Sequence, residues 1–220
     1  MANSVNSYIE FVEINDAAKA KLVEMFDRCQ EMEYGRRWFA DMFVDGSDVT
    51  YDDVKQYSWT TEHVGPKWCY IEDSDISVET ETPYMMTESA WSPPESGLVK
   101  LLETLAELDP NMVTSIRYED EMPNFVGWYV YEGAELSDGC EDDSEEIMER
   151  IFNNYPDLRE QWDDEAEDWK TDEDTGDYTE EAEQAMDEYR DVLYESISEW
   201  NDEGVGECLD YIRQRKEEEA

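Results

Sequence analysis

The sequence has one histidine, His63, and four cysteines, Cys29, Cys69, Cys140 and Cys208, which form no Cys-x-x-Cys pair. That scarcity leaves no zinc or iron–sulfur ligand spacing, so neither a metal nor another cofactor is expected. The cysteines read as reduced thiols of a cytoplasmic protein. No run of 18 apolar residues exists, so nothing is expected to span a membrane. The start, MANSVNSYIEF, lacks a basic region followed by an apolar run, so no signal peptide is expected. The two glycines of EGVGEC, Gly204 and Gly206, come without the lysine and third glycine of a phosphate-binding loop. Basic residues are scarce as well, 16 against 61 acids, for a formal net charge of −45. That balance argues against direct binding to nucleic acid or an anionic membrane and points to a basic partner.

Hydrophobic residues make up 40% of the chain and aromatics 13%, enough for a sizeable core. Disordered chains are poor in such residues. The segment QWDDEAEDWKTDEDTGDY (161–178) sets the problem, with nine acids and one lysine around two tryptophans and a tyrosine. A solvating tail has no use for the rings, and a packed domain is weakened by the crowded acids. The charge exceeds what solubility requires and opposes compaction by self-repulsion, so it asks for a functional reason.

SVNSYIEFVEI (4–14) alternates Val5, Ser7, Ile9 and Phe11 with polar neighbours and predicts a strand. Asn15 or Asp16 caps a helix through about Gln30, with Leu22, Val23, Phe26 and Cys29 on one face. RRWFADMF (36–43) is a short aromatic segment of undefined form. PKWCYIEDSDISVETETP (66–83) predicts two strands meeting at a turn at Asp73–Ser74. In SPPESGLVKLLETLAELDP (92–110), Pro93 and Pro94 open a helix, and Leu98, Leu101, Leu102, Leu105 and Leu108 recur at helical spacing before Pro110. MVTSIRYEDEMPNFVGWYVYEGAEL (112–136) predicts a hairpin turning at Pro123 and Asn124. Strand, helix, two strands, helix, two strands is an α+β order compatible with a ferredoxin-like antiparallel sheet carrying helices on one face.

HVGPKWCYIED, ESAWSPPESGLVKLL and YEDEMPNFVGWYVYEG, in that order after an MAN…N start, resemble the YubB-type ferredoxin-like domain family of phage and plasmid proteins. The family pattern is a Gly-Thr-Lys-Trp strand, a Thr-Ala-Trp-Ser-Pro-Pro helix start and a Phe-x-Gly hairpin. Gly65, Lys67 and Trp68 match the first, with Pro66 in place of threonine. Ala90, Trp91, Ser92, Pro93 and Pro94 match the second, with Ser89 in place of threonine, and Phe125 and Gly127 match the third. The resemblance spans about residues 1–136 and implies a fold and a mobile-element origin, with no active site attached. By that family, Trp91 is expected to pack the helix start onto the sheet.

Residues 137–220 lie outside the resemblance and are expected to form an acidic helical extension. Ile147, Ile151, Phe152 and Tyr155 form one helical stripe. Leu158, Trp162 and Trp169 form a second, and Ala182, Met186, Tyr189, Leu193, Ile197 and Trp200 a third. Val205, Leu209 and Ile212 suggest a short fourth, and 170–178 reads as a loop. The negative charge is not confined to a tail: 141–220 hold 32 acids and 7 bases, and the other 140 residues 29 and 9.

Catalytic readings find little support in this pattern. Among 61 acids, chance proximity makes any carboxylate pair uninformative. His63 in TTEHVG sits beside no nucleophile motif. DEDTGDYTEEAE (172–183) fails the calcium-loop pattern in either register, since glycine or the final glutamate falls at the wrong position. What remains is the charge itself. On the scale of ~1.7 Å of duplex per charge, the 45 net negative charges correspond to roughly 75 Å of DNA. Acids three or four apart on a helix sit about 5–6 Å from one another, near the spacing of phosphates.

Together with the phage or mobile-element origin that the resemblance implies, this charge predicts a non-enzymatic protein that inhibits a basic host DNA-binding or defence complex by mimicking DNA, in the host cytoplasm. The acids expected to meet that partner are Asp163, Asp164, Glu165, Glu167, Asp168, Asp172, Glu173, Asp174, Glu180, Glu183 and Asp187. The first rival is an adaptor or inhibitor that binds through its tryptophans and tyrosines, with acids serving solubility. An acid-rich proteome and a carboxylate enzyme are further readings, and a homodimer is compatible with all of them.

Overall fold

The alternation that begins the chain sets its first strand, with Val5, Ser7, Ile9 and Phe11 all buried along β1 (Ser4–Glu13). Residues 3–172 and 175–219 are described by the structure, a computed structural model. After β1 come α1 (Asp16–Phe26), β2 (Arg37–Trp38), α2 (Tyr57–His63), β3 (Cys69–Asp75), β4 (Tyr84–Ala90) and α3 (Glu95–Ala106). Then follow β5 (Val113–Asp120), β6 (Phe125–Glu132), β7 (Glu135–Asp143), α4 (Ser144–Asn154), α5 (Pro156–Arg159), β8 (Trp162–Asp163), β9 (Asp168–Trp169) and α6 (Glu180–Glu219). The chain divides into two units, Met1–Glu141 with Gly204–Ala220, and Asp142–Glu203.

The first unit is α+β, built on a seven-stranded antiparallel sheet of order β2-β3-β4-β1-β5-β6-β7. Ile9 stands opposite Met85 on one neighbour and Ile116 on the other, so the core crosses the middle of the sheet in register. Asn15 caps α1, its side chain accepting from the amides of Ala17 (3.0 Å) and Ala18 (2.9 Å). The helix ends at Phe26, short of Gln30, and tighter turns carry the chain to buried Cys29. On α3, Leu98, Leu101, Leu102 and Leu105 are fully buried, each contributing roughly 1.5–3 kcal/mol by burial. Leu108 lies beyond this helix and is exposed. The undefined segment 36–43 forms β2 and then a buried 3-10 turn, Phe39–Phe43.

Three expectations for this unit need correction. Asp73 and Ser74 are not a turn. They continue β3 after a register shift between Ile71 and Asp73, and the chain reverses later, around Ser77–Thr80. A polar pair reads as a turn in sequence, but a bulge on a partly exposed strand accommodates it equally well. Trp91 does not pack onto the sheet. It has φ 67°, is 52% exposed and lies under the Lys67 ammonium, 5.8 Å from its ring centroid. Nor do helices cover one face alone. Val12, Val113, Trp128 and Val130 point away from the α1–α3 side and pack against Val205, Cys208, Leu209 and Ile212 of α6.

The expected break before Val205 is absent, because α6 is one continuous helix of 40 residues. Gly204 has a packing role: a Cβ there would lie 2.3 Å from the Trp128 indole nitrogen. The region from 137 is also not all helical, since β7 adds an edge strand through Asp143. In the second unit, Asp143 forms a capping box with Glu146 and opens α4, which buries Ile147, Ile151 and Phe152. Tyr155 ends that helix and is 36% exposed. Trp162 and Trp169 lie on no helix, but face each other across the β8–β9 hairpin. Seven residues is two helical turns, and it is also the span of a cross-strand pair closed by a short loop.

Candidate functional site

Asp142–Glu203 carries 26 of the 61 acids and four of the 16 bases, a net of −22 in 62 residues. This unit folds around rings. Phe152 of α4 lies 5.7 Å from Trp162 and 6.1 Å from Trp169, while Trp169 lies 5.8 Å from Tyr189 of α6, centroid to centroid. The two tryptophans meet edge to face at 5.6 Å and 84°. Such pairs each contribute about 0.5–1.5 kcal/mol beyond area burial. Phe152 is buried, but Trp162, Trp169 and Tyr189 remain half-buried. Their open sides line a concavity of about 870 Å³, bounded by Glu145, Glu149, Asp164 and Glu167. Arg159 sits at its wall, 5.5 Å over the Phe152 ring, and donates to both oxygens of Asp164 at 2.6 Å. Burial raises the hydroxyl pKa of Tyr189 above its ordinary value.

The sequence-predicted acids divide into two groups. Asp163, Asp164, Glu165, Glu167 and Asp168 are all exposed, but on the hairpin and its loop, so they form no row along a helix. The chain uses several of them locally. Asp163 accepts from the amides of Glu165 (2.9 Å) and Ala166 (3.3 Å), and Asp168 accepts from the hydroxyl of Tyr178 at 3.2 Å. That carboxylate in turn raises the pKa of Tyr178. Asp172 accepts from the amide of Thr175 at 3.0 Å, in a loop closed by the Thr171–Tyr178 bridge. Glu173 and Asp174 lie outside the described residues.

Glu180, Glu183 and Asp187 do share a helix, at the start of α6. The spacing continues through Asp191, Glu195 and Glu199, which sequence reasoning left out, and all six are exposed. The row runs for about 29 Å at 1.5 Å per residue. One strand of duplex offers roughly eight phosphates over that length, so six carboxylates approach its charge density. Asp187 is partly neutralised by Arg190 at 3.1 Å. The signal for the longer row was the apolar stripe from Ala182 to Trp200, which fixes the helix and therefore its acidic side.

Other candidates are occupied structurally. His63 lies half-buried against Trp59, centroids 4.6 Å apart. Of the buried carboxylates, Asp109 accepts from the amide of Asn15 (2.7 Å), Asp120 holds the β5–β6 turn, and Asp41 accepts from the amide of Gln30 (3.1 Å). Burial pushes the Asp41 carboxyl above its usual range. Among the described residues no cluster of three or more His, Cys, Asp or Glu could hold a metal ion, and no helix is long and apolar enough to cross a membrane. Compared with family models, curated proteins and solved structures, the chain matches none.

Proposed function

We propose that this is a non-enzymatic protein of phage or mobile-element origin that binds and inhibits a basic nucleic-acid-binding protein of the host, in the host cytoplasm, through a DNA-like surface. The observation that carries this reading is the α6 row of Glu180, Glu183, Asp187, Asp191, Glu195 and Glu199. A row of like charges three and four apart weakens its own helix by about 0.2–0.5 kcal/mol per neighbouring pair. Such a cost is understandable where a groove of lysines and arginines offsets it. Association would be fast and sensitive to salt.

The fold bears on the origin. The strands β1, β3, β4 and β5, with α1 and α3 between them, stand in the order β3-β4-β1-β5. That order is compatible with a ferredoxin-like core, within a sheet that is larger at both edges. Such a core supports the resemblance of Gly65–Trp68, Ala90–Pro94 and Phe125–Gly127 to the YubB-type family of phage and plasmid proteins. The adaptor reading keeps one specific observation in its favour, the exposed Trp91.

Charge removal by position tests the proposal. Glu180, Glu183, Asp187, Asp191 and Glu195 changed to amides should weaken inhibition of the partner's DNA binding by at least tenfold. The same change at Glu217, Glu218 and Glu219 should have far less effect. Equal effects per charge would discard mimicry in favour of the adaptor.

A further inference from the structure

The concavity of Asp142–Glu203 is unlike the α6 row, because it combines rings with carboxylates. Its three half-buried rings, Trp162, Trp169 and Tyr189, pack edge to face and line the opening. Ring faces carry the negative side of an aromatic quadrupole and attract cations. The exposed carboxylates of Glu145, Glu149 and Glu167 stand at the rim. A volume of about 870 Å³ falls within the range of ligand pockets. The wall also shows which cation this chemistry suits. The Arg159 guanidinium lies over the Phe152 ring, 5.5 Å from its centroid, while its Nη2 donates to both oxygens of Asp164. A planar guanidinium can lie over a ring and still donate from its edge to a carboxylate, whereas an ammonium is a compact, strongly hydrated point charge.

We propose that this aromatic-walled, acid-rimmed concavity is the receptor for an arginine side chain presented by a basic segment of the partner protein. The inference rests on the reading above for the source of the arginine, and adds a specific anchor to what is otherwise a diffuse electrostatic surface. Burial of the incoming guanidinium between rings and carboxylates would discriminate arginine from lysine, which rows of surface carboxylates do not do.

The test uses the full chain and two short peptides of equal charge and length, alternating glycine with either arginine or lysine. Binding is followed at fixed ionic strength by the indole N–H resonances, assigned to Trp162 and Trp169 by single Trp→Phe variants. The arginine peptide should shift these two signals saturably, with half-saturation at least tenfold below that of the lysine peptide. Trp169→Leu should abolish the effect. Because that change can loosen the unit, Glu149→Gln with Glu167→Gln serves as a second variant that leaves the rings in place, and it should weaken binding several-fold. Equal affinity for both peptides, shifts spread over all eight tryptophans, or unchanged binding by the glutamine variant would each overturn the proposal. If the arginine peptide binds here while partner and DNA bind together, the receptor stands and DNA mimicry falls. If partner and DNA exclude each other while the peptide fails to bind, the reverse holds.

Discussion

Gly204 and Gly206 sit two residues apart within the same helix, and the structure predicts opposite consequences for the same substitution. In an exposed helix interior, alanine is favoured over glycine by about 0.8–1.0 kcal/mol. At Gly206 nothing lies within 4 Å of the added Cβ, so Gly206→Ala should recover most of that gain. At Gly204 the same atom would lie 2.3, 2.4 and 2.7 Å from Nε1, Cε2 and Cζ2 of Trp128. The indole must move, and overpacking of this kind costs about 1–3 kcal/mol. The propensity gain cancels between the two variants, so Gly204→Ala should be less stable than Gly206→Ala by that 1–3 kcal/mol. At roughly 2–4 °C per kcal/mol for a chain of this size, thermal unfolding followed by circular dichroism resolves the difference. Trp128→Phe should remove most of the gap, giving a coupling of about 1 kcal/mol or more in a double-mutant cycle. An equal gain at both glycines would refute the packing of α6 on β6, and with it the account of why the helix continues through EGVGEC.

Three further outcomes follow from named groups. Asp45 accepts from the amides of Val49, Ser47 and Asp48, which hold its carboxyl at about 2, below its ordinary value. Its contribution to stability is therefore complete above about pH 4 and lost as pH falls through the folded value. Asp45→Asn should flatten the acid limb of stability in that window and leave neutral pH behaviour comparatively unchanged. Burial pushes Cys29 up to about 12 and Cys69 higher, while Cys140 is exposed, so native alkylation read by mass spectrometry should label Cys140 well before the other two. Raising ionic strength from 0.01 to 1 M shortens the screening length from ~30 to ~3 Å. Hydrogen exchange of Glu180–Glu199 should slow as salt relieves the repulsion along the row, and no change would show that the row is not a strained feature.

Much of this architecture was legible where periodicity and chemistry agree. The alternation in β1, the leucines of α3, the Pro123–Asn124 turn and the stripe from Ala182 to Trp200 all stand in the structure as the sequence suggests. Errors arose where one pattern satisfied two geometries. Trp162 and Trp169 are seven apart, which a helix and a four-residue hairpin loop both allow, and only the packing of Phe152 and Tyr189 decides between them. Asp73–Ser74 has turn chemistry but lies in a bulge. Gly204 looks like a helix break until Trp128, 76 positions earlier in the sequence, is placed against it. The candidate site was half legible for the same reason. Acid spacing along α6 can be read locally, whereas the concavity is assembled from five elements and needs the tertiary structure.

Competition at constant ionic strength tests the central claim most directly. The partner is bound to the immobilised chain, and duplex DNA is then added with compensating salt, so that screening does not change. If the acidic surface occupies the partner's DNA-binding groove, duplex should displace the partner completely, at a concentration set by the partner's own affinity for DNA. Retention of the partner on the chain with duplex bound to it at the same time would contradict the account.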